Sequence, residues 1–218
     1  ADEIAAYFLP AQGFLKYGSN LKIYRATGSG QLNAASGTHD GVLIKNTEAY
    51  SAMTSGLTAD IYARYPGTLG NSLKVVVLDD DGMNQSTEET AVVALFNTVH
   101  GTDSALADET EVNIAVIDED GVITGTAGTV LETFERVSLV AGTKALDGSS
   151  AFLNDVLYEK SQWIYAGLNA TFSSDSTDVF DDSPSQLAAG VKSYSLQGGV
   201  DVAIDTADIA SAFDTAFI

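Results

Sequence analysis

The sequence predicts an α+β protein, a mixed β-sheet or β-sandwich flanked by three to four helices. Two observations carry this. Strand-like segments outnumber helical ones and are grouped instead of alternating strictly with them. Three stretches, 1–17, 149–160 and 205–217, place apolar residues at helix-face spacing. With 218 residues and 45% hydrophobic content, the chain can bury a core in one large or two small domains.

In chain order, Ile4, Phe8, Ala11, Phe14 and Leu15 line one face of the first helix, and Gly18 is placed to end it. Pro10 predicts a kink or a late start, because it removes a backbone bond and clashes with the preceding turn. Leu21–Thr27 reads as a strand, and the Gly-, Ser-, Thr- and Asn-rich stretch Gly28–Gly41 as a mobile loop. A short strand at Val42–Ile44 follows, then a polar segment around Glu48–Tyr50. Ala59–Arg64 alternates like a half-buried strand, with Ile61 and Ala63 opposed to Tyr62 and Arg64. Tyr65-Pro66-Gly67 predicts a turn, since Pro presets φ and Gly accepts positive φ. The β-branched run Ser72–Leu78 comes next as a strand.

Met83–Glu89 reads as loop, and Ala91–Val99 is apolar without a period that decides its type. Val112–Ile117 and Val122–Thr124 flank Asp118-Glu119-Asp120-Gly121, which predicts a hairpin with Asp-Gly in the turn. The imperfect alternation of Val130–Leu139 predicts a bulged or twisted strand. Ser149 or Ser150 is placed to cap a helix carrying Phe152, Leu153, Val156 and Leu157. Trp163–Ala166 and Tyr194–Leu196 read as strands around a Ser- and Asp-rich surface loop at Ser173–Pro184. Asp205 caps a final helix with Ile209, Phe213, Ala216 and Phe217 on one face. No internal repeat emerges.

Ten Lys and Arg against thirty Asp and Glu give a formal charge of −20. Nucleic acid and anionic membranes are excluded as partners, since both require a basic surface. No run approaches the ~18 apolar residues of a membrane span. The absence of cysteine removes disulfides, thiolate metal sites and a Cys nucleophile. The acidic start lacks the basic n-region of a signal peptide. The lack of an initiator Met, with a stop inside the apolar helical pattern at Phe217-Ile218, predicts an excised piece of a longer protein.

The acidic clusters raise calcium binding. An EF-hand needs acidic or amide ligands at loop positions one, three and five, Gly at six and an acid at twelve. Counting from Gly82 puts Val77 at position one and Glu88 at twelve; from Gly121, Val116 and Ala127 fall there. Neither Asp79–Asp81 nor Asp118–Asp120 is in ligand register, so turns are the reading at both. His39 and His100 lack metal-ligand spacing. No G-x-S-x-G elbow surrounds any Ser, and Gly28-Ser29-Gly30 lacks the Lys and context of a phosphate loop. Tyr7, Phe8, Phe14, Tyr17, Trp163 and Tyr165 read as core aromatics. No catalytic, cofactor or metal residue is expected.

Several pieces then recur in a recognisable order. They are Tyr7-Phe8-Leu9, the aromatic stretch from Gly13 through Tyr17-Gly18-Ser19-Asn20-Leu21 to Arg25-Ala26, and the Tyr65-Pro66-Gly67 block through Lys74. Leu131–Ser138, Gly148–Val156 and Leu196-Gln197-Gly198-Gly199 follow. This ordered set resembles the tail sheath proteins of contractile-tailed bacteriophages, from about Ala1 to Phe217, and is least defined between Gly28 and Ala59. The resemblance implies a non-enzymatic structural subunit. Such subunits form hexameric rings stacked around a tail tube and contract to drive it through the host envelope. Implied partners are other sheath subunits, the tail tube and baseplate proteins, and the implied location is the virion, after assembly in the host cytoplasm. By the same resemblance, 1–218 corresponds to the middle, outward-lying part of a subunit, without the strand-exchanging terminal arms. Residues 28–58 would be a reduced loop or small subdomain replacing the outer insertion of some relatives. The alternative from another class is an acidic secreted or surface-layer β-rich calcium-binding module, and a third is a hydrolase with a dispersed triad.

Overall fold

A computed structural model describes residues 2–21, 26–37, 41–78, 83, 90–100, 111–167 and 191–216. The chain divides into two compact units, Ala1–Gly28 with Ala203–Ile218, and Ser29–Val202. The first unit holds helix α1 (Asp2–Leu15) and the last helix, α5 (Thr206–Ala216). Pro10 lies inside α1, so the helix runs through it instead of starting late. The N–H groups of Tyr17 and Gly18 both donate to Phe14 O and close the helix (3.0 and 2.9 Å). At α5 the expected cap forms: Asp205 Oδ1 accepts from the Ala207 and Asp208 N–H groups at 2.8 Å each. Asp208 Oδ2 in turn accepts from Asp205 N, a reciprocal capping arrangement.

The second unit contains two antiparallel sheets. One has the order β1 (Asn33–Ala35), β2 (Ile61–Pro66), β6 (Ile164–Ala166). The other runs β5 (Thr129–Ser138), β4 (Glu111–Asp118), β3 (Leu73–Leu78), β7 (Val191–Ser195). Helices α2 (Thr47–Ala52), α3 (Thr90–His100) and α4 (Leu153–Lys160) lie between strands in sequence. The α+β class is as the sequence predicts.

The period of two along each strand sorts side chains into three cores. Ile61 and Ala63 of β2 and Ile164 and Ala166 of β6 meet Leu73, Val75 and Val77 of β3 in the central one. Val112, Ile114 and Val116 of β4 and Leu153, Val156 and Leu157 of α4 complete it, so the two sheets share one interior. On the opposite face of β3 and β4, Val76, Leu78, Ala115 and Ile117 pack on Val92, Val93 and Phe96 of α3. On the opposite face of β2 and β6, Tyr62 and Tyr165 join Ala35, Ile44, Tyr50 and Leu57.

This third core corrects the reading of 59–64 as half-buried, because Tyr62 is as covered as its neighbours. It also corrects the reading of 28–41 as a mobile loop: Gln31 and Asn33 through Ser36 are all buried, and β1 lies among them. Polarity does not keep this segment outside, because the side chains of Asn33 and Ser36 find hydrogen-bond partners inside. Asn33 Nδ2 donates to Ile44 O (3.2 Å) and Ala63 O (2.9 Å), and its Oδ1 accepts from Ile44 N (2.6 Å). Asn33 thereby supplies the hydrogen bonds that a strand at 42–44 would have found in a sheet, and that segment stays irregular. Ala91–Val99, which no pattern decided, is helical.

The hairpin at Asp118 differs as well. The returning strand starts at Thr129, not Val122, and residues 119–128 form the connection. The cause is Asp118, whose buried carboxylate accepts from Ser72 Oγ (2.6 Å), Ile123 N (3.1 Å), Thr124 N (2.7 Å) and Thr124 Oγ1 (2.8 Å). These bonds gather Val122–Thr124 over the strand end. Further along, β5 slips twice against β4, as its imperfect alternation predicts. At one slip Arg136 has φ of 50° and its N–H donates to Asn113 Oδ1 (2.9 Å). Helix α4 begins at Leu153 with Phe152 at the cap position. Ser150 acts two residues before that cap, donating to Asp155 Oδ2 at 2.6 Å. Of the strand expected at 21–27, residues 22–25 lie outside the described residues, as do the loop at 173–184, His39 and Asp79–Asp81.

Candidate functional site

The Pro-Gly turn is where distant parts of the second unit are tied together. Pro66 ends β2 and a 3-10 turn (Thr68–Ser72) leads into β3. Gly67, between them, has φ of 113°, a conformation that L side chains rarely adopt. A Cβ there would also run into Asp201 Oδ1. Asp201 Oδ2 accepts from Thr68 N (3.1 Å) and from Thr68 Oγ1, and Asp201 Oδ1 from Gln31 Nε2 (3.2 Å). Gln31 Nε2 lies 3.4 Å from Pro66 O as well. One turn further, Asn71 grips Gly199 from both sides: Asn71 Oδ1 accepts from Gly199 N (2.8 Å) and Asn71 Nδ2 donates to Gly199 O (3.0 Å). A Cβ on Gly199 would meet Gly67 O, so this approach requires glycine.

The junction brings together two blocks singled out in the sequence, Tyr65–Lys74 and Leu196–Gly199, through the paired Asn71–Gly199 bonds across 128 residues. Sequence reasoning missed Gln31, Asn33 and Asp201, which carry no period and stand in Gly-rich or charged surroundings. Their signal is only the accumulation of short amide and carboxylate side chains near glycines.

The aromatics divide. Tyr165 is buried and stacks on Tyr50, with centroids 4.3 Å apart and planes 9° apart; Arg64 lies 4.4 Å over the Tyr165 ring. Arg64 also donates to Tyr158 O (3.0 Å), and Tyr50 Oη to Ala166 O (2.7 Å). Burial, then the neighbouring Tyr165, pushes the Tyr50 hydroxyl up to about 12, so it stays a neutral donor at physiological pH. Burial and then Asp60, which accepts from Tyr194 Oη at 2.8 Å, raise Tyr194 as well. Trp163 is partly buried and meets Tyr65 edge-on at 6.1 Å. Phe14 and Tyr17, read as core, are instead 50% and 95% exposed. Tyr7 and Phe8 have side chains outside the described residues.

Among the described residues, no group of three or more His, Asp or Glu side chains is placed to hold a metal ion. Asp118 is filled by protein donors. Its burial works to raise the pKa, and the hydrogen bonds from Ser72, Thr124 and Ile123 outweigh it, holding the carboxyl below its ordinary value. What the arrangement does chemically is fasten chain segments, through charge-assisted bonds and tight glycine packing.

No protein-family model matches the chain. Over 138 residues it is 33% identical to the tail sheath protein of Salmonella phage ViI, an alignment covering 57% of this chain and 19% of that protein. The chain therefore spans about a fifth of the relative's length, and it is to a phage tail sheath protein that its sequence is similar.

Proposed function

We propose that this chain is part of a structural, non-enzymatic subunit of a contractile tail sheath. In this reading the subunits assemble with one another into stacked hexameric rings around a tail tube and contract to drive the tube through the host envelope. Tail tube and baseplate are its further partners, and the virion is its location after assembly in the host cytoplasm. The observation that carries the reading is the 33% identity over 138 residues to a tail sheath protein. It is supported by the order of the quoted sequence blocks, two of which meet at the Pro-Gly junction.

Residues 1–218 are assigned to the middle, outward-lying part of the subunit. Residues 28–58, which supply β1 and α2, stand as the small subdomain in place of a larger outer insertion. No catalytic residue, cofactor or metal is assigned. The test is expression of the complete protein that carries this sequence, followed by negative-stain electron microscopy. Tubes or stacked six-fold rings are expected; a protein that stays monomeric at high concentration overturns the proposal.

A further inference from the structure

The two segments that lead from the second unit to the terminal helices leave it side by side. Ala35 and Gln197 exchange both backbone hydrogen bonds (2.9 and 3.0 Å), and so do Leu32 and Val200 (3.1 Å each). Gly67 N donates to Leu32 O as well (2.9 Å), so the turn seals the outer rung of this ladder. Asp201 is the next residue, and its bonds to Thr68 and Gln31 are the outermost tie. From Val202 to Ile204 the described residues show no hydrogen bond, and Val202 and Ile204 are 38% and 40% exposed.

Two features leave this tie poised to open. The Thr68–Asp201 bonds lie at the exposed edge, where water competes for both partners. Closing the junction also buries Gln31 Oε1 without a hydrogen-bond partner, a cost that opening recovers.

We propose that Asp201 is a latch that sets the length of the tether to the terminal helices. Closed on Thr68 and Gln31, it holds the Leu32–Val200 rung. Open, it lets the Leu32–Val200 rung fray as far as the Asn33 and Asn71–Gly199 ties, releasing residues 29–32 and 200–201. At about 3.3 Å per extended residue, the two tethers then gain roughly 13 and 7 Å of reach. This device belongs to the chain itself and does not rest on the sheath reading.

The test uses the whole chain with Asp201→Ala or Thr68→Val, the latter keeping the side-chain shape. Amide exchange at Leu32 and Val200 is expected to quicken about tenfold in both variants, while Val75 and Val116 in the sheet centre keep their protection. Because the chain has no cysteine, spin labels at Lys16→Cys and Lys144→Cys report the tether directly. Their distance distribution is expected to widen in both variants. Unchanged exchange, an unchanged distribution, or equal acceleration at Val75 and Val116 would each overturn the latch.

Discussion

Asp118 shows how one side chain can override a local turn signal. Read locally, Asp118-Glu119-Asp120-Gly121 is a tight hairpin. In the fold the carboxylate is buried at the end of β4 with four donors around it, and the chain takes the longer route that brings those donors in. Hydrogen bonds to a buried charge are worth about 1.5–3 kcal/mol, so Asp118→Asn is expected to lower stability by roughly 2 kcal/mol at pH 7. The folded-state pKa of Asp118 is depressed, so its contribution is present above the unfolded value near 3.9 and is lost as pH falls through the folded value. Urea unfolding at pH 7 and pH 3 checks this. The gap between the two proteins should narrow in acid, and an equal gap at both pH values contradicts the assignment.

At the scale of elements, α3 is the clearest case of packing deciding what pattern left open. Ala91–Val99 is an apolar run compatible with strand or helix. It is a helix because the free face of β3 and β4 presents Val76, Leu78, Ala115 and Ile117, which need a cover, and Val92, Val93 and Phe96 supply it. Phe96 is 1% exposed at the centre of this layer. Truncating a buried Phe costs about 3–5 kcal/mol, so Phe96→Ala should lower the unfolding free energy by that amount. A loss below about 1 kcal/mol would mean that α3 does not seal the sheet. The same logic explains β1: a segment of Asn, Ala and Ser enters the core because its polar atoms find partners there.

For the whole molecule, electrostatic repulsion governs how copies of the chain meet. At a formal −20 they repel one another, and the repulsion is screened over about 8 Å at physiological salt. Sedimentation at low and at physiological ionic strength is therefore expected to give a monomer at low salt, with any weak association appearing only as salt rises. Stable hexamers or tubes at low salt would show that this portion alone carries the assembly contacts.

The α+β class, the positions of most strands, the bulge in β5, the Asp205 cap and the likeness to a sheath protein were legible in the sequence. Each depends on short-range information: period, turn chemistry, capping residues and motif order. The burial of Gln31 and of Asn33–Ser36, the covering of Tyr62, the long route around Asp118 and the meeting of Thr68 with Asp201 were decided by tertiary structure alone. They turn on which side chain meets which partner in space, at sequence separations from 5 residues at Asp118–Ile123 to 133 at Thr68–Asp201. The exposure of Phe14 and Tyr17 belongs with these, because an apolar side chain becomes core only where another element arrives to cover it.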